Sequence, residues 1–303
     1  MAGIMMVGYV LGIVAAAVVI WSAVRRRREE RVPRLLVPVL RAARRRASIS
    51  VVFAVAVLVA GVLVGLALPG LLGQSLLVAP LIAAAAGMLL YGSTPPRAVP
   101  LRDDEPRAAP LVPRSAVSVV PARWAAAAIA AVTALVALVL FCGVTASDDE
   151  QGRSRVIRFE AEDYASWASP YPGWFYGVPT LIALVALLVS TLIALQRIST
   201  TAAFPNPADA DVDRLWRRRS GAVLVGLGLG AVLFSYGGIA ITAGMAMGNT
   251  VIDAQTPAVW SVLAQVLWIS GAAGLVLSIV SVTVSGLTAV TIGEAATRME
   301  RVR

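Results

Sequence analysis

The stretch from Arg25 to Arg46, RRRREERVPRLLVPVLRAARRR, carries ten arginines immediately after an uncharged apolar segment. Arginines clustered next to a membrane span are retained on the cytoplasmic side of the membrane. The stretch therefore predicts that the preceding apolar segment, Ile4 to Val24, is a first span with its N-terminus outside. Because successive spans alternate in direction, the same cluster sets the expected orientation of every later span.

Composition indicates the class of protein. Hydrophobic residues make up 58% of the 303 residues and charged residues only 14%, with a mean hydropathy of +0.81. Soluble domains have about a quarter of their residues charged, so we predict an integral membrane protein embedded in a lipid bilayer. The net charge of +9 would also suit a nucleic-acid binder, but the arginines flank apolar spans instead of forming a folded polar surface. No nucleic-acid partner is expected.

Several kinds of chemistry are excluded by missing residue types. The chain has no histidine, and its basic residues are all arginine. Histidine-ligated haem, imidazole proton relays and lysine Schiff bases are therefore excluded. Cys142 is the only cysteine, so no intrachain disulfide can form, and we expect it to be a small buried hydrophobic residue. We expect no cofactor, no metal site and no catalytic residue, and hence no enzymatic activity.

Apolar runs separated by polar interruptions predict an all-α, polytopic bundle of about seven spans, with the N-terminus outside and the C-terminus cytoplasmic. Nearly all the arginines then lie inside, the exceptions among the 26 being Arg153, Arg155 and Arg158. We expect a multi-pass protein of the bacterial cytoplasmic membrane.

The predicted order is 1–24 as the first span, 25–48 as a basic cytoplasmic segment, 49–92 as a hairpin of two spans, 93–123 as a proline-rich cytoplasmic linker, 124–144 as the fourth span, 145–173 as an acidic and aromatic external loop, 174–196 as the fifth span, 197–219 as a cytoplasmic loop, 220–248 as the sixth span, 249–258 as a short external loop, and 259–303 as the seventh span with a cytoplasmic extension.

Part of the basic segment has helical spacing. Its apolar residues lie opposite arginines, which is typical of a short amphipathic helix on the inner leaflet. Pro38 would interrupt such a helix, and a solvated topological anchor explains the charges equally well. The helical interpretation makes the polar face a candidate contact for a cytoplasmic partner, in particular an ATPase. The arginines of that face are Arg34, Arg41, Arg44 and Arg45.

The predicted external loop, 145–173, combines acidic and aromatic residues. One interpretation makes its aromatic residues a belt at the outer membrane interface, where amphipathic rings are favoured. The other makes the loop an external binding surface for a cation, a sugar or a peptide. The candidate residues of that surface are Glu160, Glu162, Asp163, Trp167 and Trp174.

Small residues in the last two predicted spans indicate close helix packing. In the sixth span, Gly226, Gly228 and Gly230 would allow a tight approach, or would break the helix beside a substrate cavity. In the seventh span, small residues recur at spacings of three and four. This helix-packing seam could also line a polar pathway, although it contains no ionisable group. The seam consists of Gly271, Gly274, Ser278, Ser281, Ser285 and Thr288.

No predicted span has an ionisable residue in its central part, and no phosphate-binding loop is present. The expected function is therefore that of a permease-like membrane subunit in a multi-component bacterial transport or export system. A separate cytoplasmic ATPase would supply the energy, and the chain would act in a homo- or hetero-oligomer. The alternative is a non-transporting structural or sensory envelope protein that acts through its external loop, 145–173.

Overall fold

A computed structural model of the chain describes residues 36–94, 96, 115–161, 164–202, 204, 209–251 and 257–291. Within these ranges, six α-helices are long and apolar enough to cross a membrane. The prediction of a mainly helical chain with several helices able to span a membrane is therefore confirmed for the described residues. The first predicted span, Ile4 to Val24, lies outside the described residues. The six helices are α1 (Val37–Ala67), α2 (Gln74–Ser93), α3 (Ala122–Thr145), α4 (Trp174–Thr200), α5 (Ala210–Asn249) and α6 (Ala258–Thr291).

The helices run alternately between two ends of the bundle. At one end, the start of α1 contacts the end of α2, and the start of α5 contacts the end of α4. We call it the arginine end, because its charged residues within the described ranges are ten arginines and three aspartates. The opposite end holds the turn between α1 and α2 and the segment between α3 and α4, and we call it the sheet end. The arginines are Arg41, Arg44, Arg45, Arg46, Arg123, Arg197, Arg214, Arg217, Arg218 and Arg219.

Two helices begin earlier than the hydropathy pattern predicts. Helix α1 starts at Val37 instead of at residue 49 and continues unbroken to Ala67, so its arginines belong to one long helix and not to a separate interfacial one. Pro38 does not interrupt it, because a proline in the first turn lacks only an N–H that would have no partner in the helix. Helix α5 starts at Ala210 instead of at residue 220. Aspartates in its first turn favour that start, because they interact with the positive end of the helix dipole.

Helix α5 lies at the centre of the bundle. It packs most extensively against α6, and also against α2, α3 and α4. Its 40 residues are helical throughout, so the structure has no helix break at the glycines of the predicted sixth span. Helix α1 lies at the periphery, packed mainly on α2, and exposes apolar side chains such as Val52 and Leu63. Exposed apolar faces of this kind suit contact with lipid.

A small antiparallel sheet lies between α3 and α4, so the predicted all-α class is wrong for this segment. Its strands are β1 (Ser147–Asp148), β2 (Ser154–Ala161) and β3 (Tyr164–Ala168), in the order β1-β2-β3. From Ile157 onwards, β2 alternates between inward residues, with Ile157 buried and Phe159 half-buried, and the exposed Arg158 and Glu160, as in a strand with one face packed on a core. Val156, nearer the start of β2, is also buried. So small a sheet is not stable alone in water and needs the helix bundle beneath it.

Candidate functional site

The chain that leads from β3 into α4 fixes the sheet to the end of α3. Tyr171 is fully buried there, and its hydroxyl shares a 2.6 Å hydrogen bond with the hydroxyl of Thr145. The Tyr171 N–H donates to the carbonyl of Arg155 on β2 at 2.8 Å. Burial raises the pKa of the Tyr171 phenol, and the nearby Cys142 thiol adds to the rise. The phenol is therefore a neutral structural group that joins α3 to the sheet.

The turn between β1 and β2 is organised around Asp149. One carboxylate oxygen accepts hydrogen bonds from the N–H groups of Gln151 and Arg153, both at 2.9 Å. The other accepts the Arg153 Nε–H at 2.9 Å and lies 3.3 Å from Nε of Arg155. Desolvation alone would raise the pKa of Asp149, but these hydrogen bonds and the Arg153 guanidinium hold it below its ordinary value. The carboxylate is thus a charged anchor of the turn.

The underside of the sheet rests on the helices. The ring of Phe159 on β2 packs against Trp260 near the start of α6, with 5.7 Å between the ring centroids. The Nε1–H of Trp260 donates to Thr250 at the end of α5. Beside it, Ile157 and Ala168 are buried as a register pair of β2 and β3. One side of the sheet therefore packs against α5 and α6, which are distant from it in sequence, and the other side carries exposed residues.

The open side, which we call the outer face, consists of Arg158, Glu160, Ala165 and Trp167. All four are exposed, and the Trp167 side chain is 70% accessible. Arg158 lies directly opposite Trp167, and Glu160 directly opposite Ala165. Side chains so paired across an antiparallel sheet have Cβ atoms about 5 Å apart. An aromatic ring, a guanidinium and a carboxylate thus share a small flat area.

The residues predicted for an external site divide into three groups. Glu160 and Trp167 lie together on the outer face, whereas Glu162 and Asp163 lie outside the described residues. Trp174 has a different position, because its ring packs on Gly143 of α3, where an added Cβ would lie 2.5 Å from the ring. Sequence reasoning did not assign Arg158 to this site. The alternation along β2 was the signal that could have placed it beside Glu160.

At the arginine end, the predicted partner contacts differ in exposure. Arg41 and Arg45 are exposed one helical turn apart on α1, Arg44 is partly buried, and Arg34 lies outside the described residues. The adjacent Arg46 is buried instead. Its guanidinium donates two hydrogen bonds to the carbonyl of Tyr91 and lies 3.9 Å from the centroid of the Tyr91 ring. Arg46 therefore binds the C-terminal end of α2.

Arg217 binds the C-terminal end of α4 in a similar way. It is buried on α5 and donates to the carbonyls of Ile198, Thr201 and Ala202. A carboxylate from the preceding turn, Asp213, accepts two hydrogen bonds from the same guanidinium, at 2.9 and 3.1 Å. The positive charge interacts favourably with the negative end of the helix dipole. Both buried arginines are thus structural groups that hold helix ends.

The helix-packing seam lies along α5. The hydroxyls of Ser278 and Ser281 each donate a 2.7 Å hydrogen bond across the interface, to the carbonyls of Gly230 and Gly226. A Cβ atom added at Gly271 would lie 2.8 Å from the nearest atom of α5, and one added at Gly274 would lie 3.1 Å from it. Ser285 faces Gly226. Thr288 and Ser285 donate to carbonyls of their own helix. Small residues on both helices bring the two backbones close together.

No three cysteine or carboxylate side chains in the described ranges are grouped so that they could hold a metal ion. Comparisons of the chain with protein-family models, with curated proteins and with solved structures find no match. The site must therefore be interpreted from its own chemistry.

Proposed function

We propose that the chain is a multi-pass protein of the bacterial cytoplasmic membrane, with the arginine end in the cytoplasm and the sheet end outside. The distribution of charge supports this orientation. The described residues of the arginine end include ten arginines and three aspartates, whereas the 145–173 segment carries only three arginines. Arginines near span ends are retained on the cytoplasmic side.

The proposed function is recognition of an external component by the outer face, without catalysis or transport. One observation carries the proposal: Trp167 is 70% accessible on a sheet whose opposite side is fixed to the bundle. Tryptophan and arginine are the residues that most often dominate the energy of recognition surfaces. A rigid support lowers the entropy lost on binding, because the surface needs little ordering.

The glycines and serines of the last two helices support a non-transporting role. A substrate pathway would need polar groups that face an opening. The hydroxyls of Ser278 and Ser281 are instead bonded across the contact between α5 and α6, and Gly230 packs against Val282. These residues thus serve helix packing.

The second candidate function is that of a permease-like subunit energised by a separate cytoplasmic ATPase. It is favoured by the exposed Arg41 and Arg45, which lie on one face of α1. Helix α1 has 31 residues and is about 46 Å long at 1.5 Å per residue. This exceeds the roughly 30 Å hydrocarbon core, so the first turns of α1 would project towards a cytoplasmic partner.

Cysteine labelling tests the orientation. Cys142 is buried, so a Cys142→Ala variant provides a background for single cysteines at Trp167 and Arg45. We expect a membrane-impermeant maleimide to label Trp167→Cys in intact cells and Arg45→Cys only after lysis. The opposite pattern would place the outer face in the cytoplasm and overturn the proposal.

Site-directed photocrosslinking in the same Cys142→Ala background tests the function, from single cysteines at Ala165 and Arg45. Ala165 is exposed on the outer face, so this probe leaves Trp167 in place, and we expect a discrete adduct from position 165 in native membranes that is lost when Arg158→Ala is added. Gln151→Cys provides a matched control, because Gln151 is exposed in the β1–β2 turn away from the outer face. A reproducible ATPase adduct from position 45, with none from position 165, would favour the permease-like subunit instead.

A further inference from the structure

We propose that the outer face binds a neutral sugar ring, with Trp167 stacking on the ring and Arg158 and Glu160 bonding its hydroxyl groups. This inference rests on the proposed function, since it names the class of ligand that the same face would recognise. The ligand would be an oligosaccharide or a polysaccharide segment without charged groups.

The strand register places the three groups at the spacing of a sugar ring. Arg158 is directly opposite Trp167, so their Cβ atoms are about 5 Å apart. Glu160 lies two residues further along β2 on the same face, a separation of about 6.6 Å along the strand. Its cross-strand partner is Ala165, whose methyl group leaves the area beside the indole uncovered. A ligand can therefore lie flat on the indole and reach both charged groups.

The two charged groups together select a ligand that is uncharged. A guanidinium only donates hydrogen bonds, and a carboxylate only accepts them. A ligand that satisfies both must offer donors and acceptors close together, as neighbouring sugar hydroxyls do. An anionic ligand would be attracted by Arg158 but repelled by Glu160, and a cation would meet the reverse. A neutral polyol avoids both penalties.

The indole of Trp167 selects the shape of the ligand. An exposed indole offers a flat apolar surface with a partly negative face. The C–H groups on one side of a sugar ring match this surface, because they are apolar and carry a small positive charge. A peptide would instead add to a sheet through main-chain hydrogen bonds at a strand edge. In that mode the main-chain hydrogen bonds supply the affinity, and the side chains of the outer face would add only specificity.

Binding should be measured on the full chain in nanodiscs, because maltoside and glucoside detergents carry sugar headgroups. The probes are a panel of neutral and acidic oligosaccharides, and the readouts are tryptophan fluorescence and calorimetry. We expect saturable binding of at least one neutral oligosaccharide. Trp167→Ala and Glu160→Gln should each weaken it by about tenfold. Glu150→Gln, a change of an exposed acid in the β1–β2 turn, should leave the affinity unchanged.

Absence of saturable binding to every neutral oligosaccharide would overturn the inference, as would binding that Trp167→Ala leaves unchanged. Binding only of acidic oligosaccharides, weakened by Arg158→Gln but not by Glu160→Gln, would also overturn it. A melting temperature measured for each variant shows that the fold is retained. If sugar binding fails while the photocrosslinked adduct from position 165 persists, the sugar is wrong and the proposed recognition function stands. If both fail, both proposals fail.

Discussion

Replacing Gly271 by alanine tests whether close approach of α6 to α5 stabilises the bundle. The added Cβ would lie 2.8 Å from the backbone nitrogen of Ile241 and 2.9 Å from the carbonyl oxygen of Gly237. Ordinary contacts of a methyl carbon are about 3.5 Å or longer, so the helices must separate by roughly half an ångström. Backbone atoms cannot rotate away as a flexible side chain can.

A matched substitution on the same helix isolates this effect. An added Cβ at Gly286 would meet no described atom within 4 Å. Both changes gain the same helix propensity, about 1 kcal/mol for glycine to alanine, so that gain cancels when the two variants are compared. Overpacking costs about 1–3 kcal/mol. At about 2 °C per kcal/mol for a large domain, Gly271→Ala should melt roughly 2–6 °C below Gly286→Ala.

The chain contains its own reporter for this measurement. Cys142 is the only cysteine and is fully buried, so a fluorogenic maleimide reacts only as the bundle unfolds. Both variants and the parent chain are melted in the same detergent, with circular dichroism as an independent signal. Equal melting temperatures for the two variants, or a higher value for Gly271→Ala, would refute the packing argument.

Three further predictions use the same chain. Ser278→Ala should cost about 0.6 kcal/mol, the average for an interhelical hydrogen bond in a membrane, and an unchanged melting temperature would contradict this. Arg217→Ala leaves the carboxylate of Asp213 buried and unpaired, so it should cost about 3–5 kcal/mol. The exposed Arg218→Ala should cost almost nothing, and equal melting temperatures for these two variants would disprove the role of the ion pair. The pKa of Asp149 is lower in the folded chain than in the unfolded chain. The ionised Asp149 carboxylate therefore stabilises the fold fully above about pH 4, and this stabilisation is lost as the pH falls through the pKa of the folded chain. The ratio of pepsin cleavage within 145–173 in the parent chain to that in Asp149→Asn should therefore be below one at pH 4 and rise towards one at pH 2, because a comparison at each pH cancels the pH dependence of pepsin itself. A ratio of one throughout this range would show that Asp149 does not hold the turn.

The sequence was informative about the helices because a lipid environment leaves a chain few alternatives. Backbone groups in hydrocarbon must be bonded within the segment, so a long uncharged run predicts a spanning helix. The turn within the predicted hairpin 49–92 also has a local cause, because Gly73 has a φ of 86°, which glycine adopts far more readily than other residues. The starts of α1 and α5 were missed because a helix continues beyond the membrane wherever its polar residues find partners.

The candidate site depended on contacts between distant parts of the chain. Arg45 and Arg46 are neighbours in sequence, yet one is exposed and the other is buried, because only Arg46 faces the end of α2. Trp167 and Trp174 were predicted together, but one side of the Trp174 ring packs on Gly143 and the residue is 36% exposed, whereas Trp167 is 70% exposed. Hydropathy determined which segments can enter a membrane, since that property depends on each segment alone. The tertiary structure decided which polar and aromatic side chains stay available for binding, since burial depends on neighbours that local sequence does not specify.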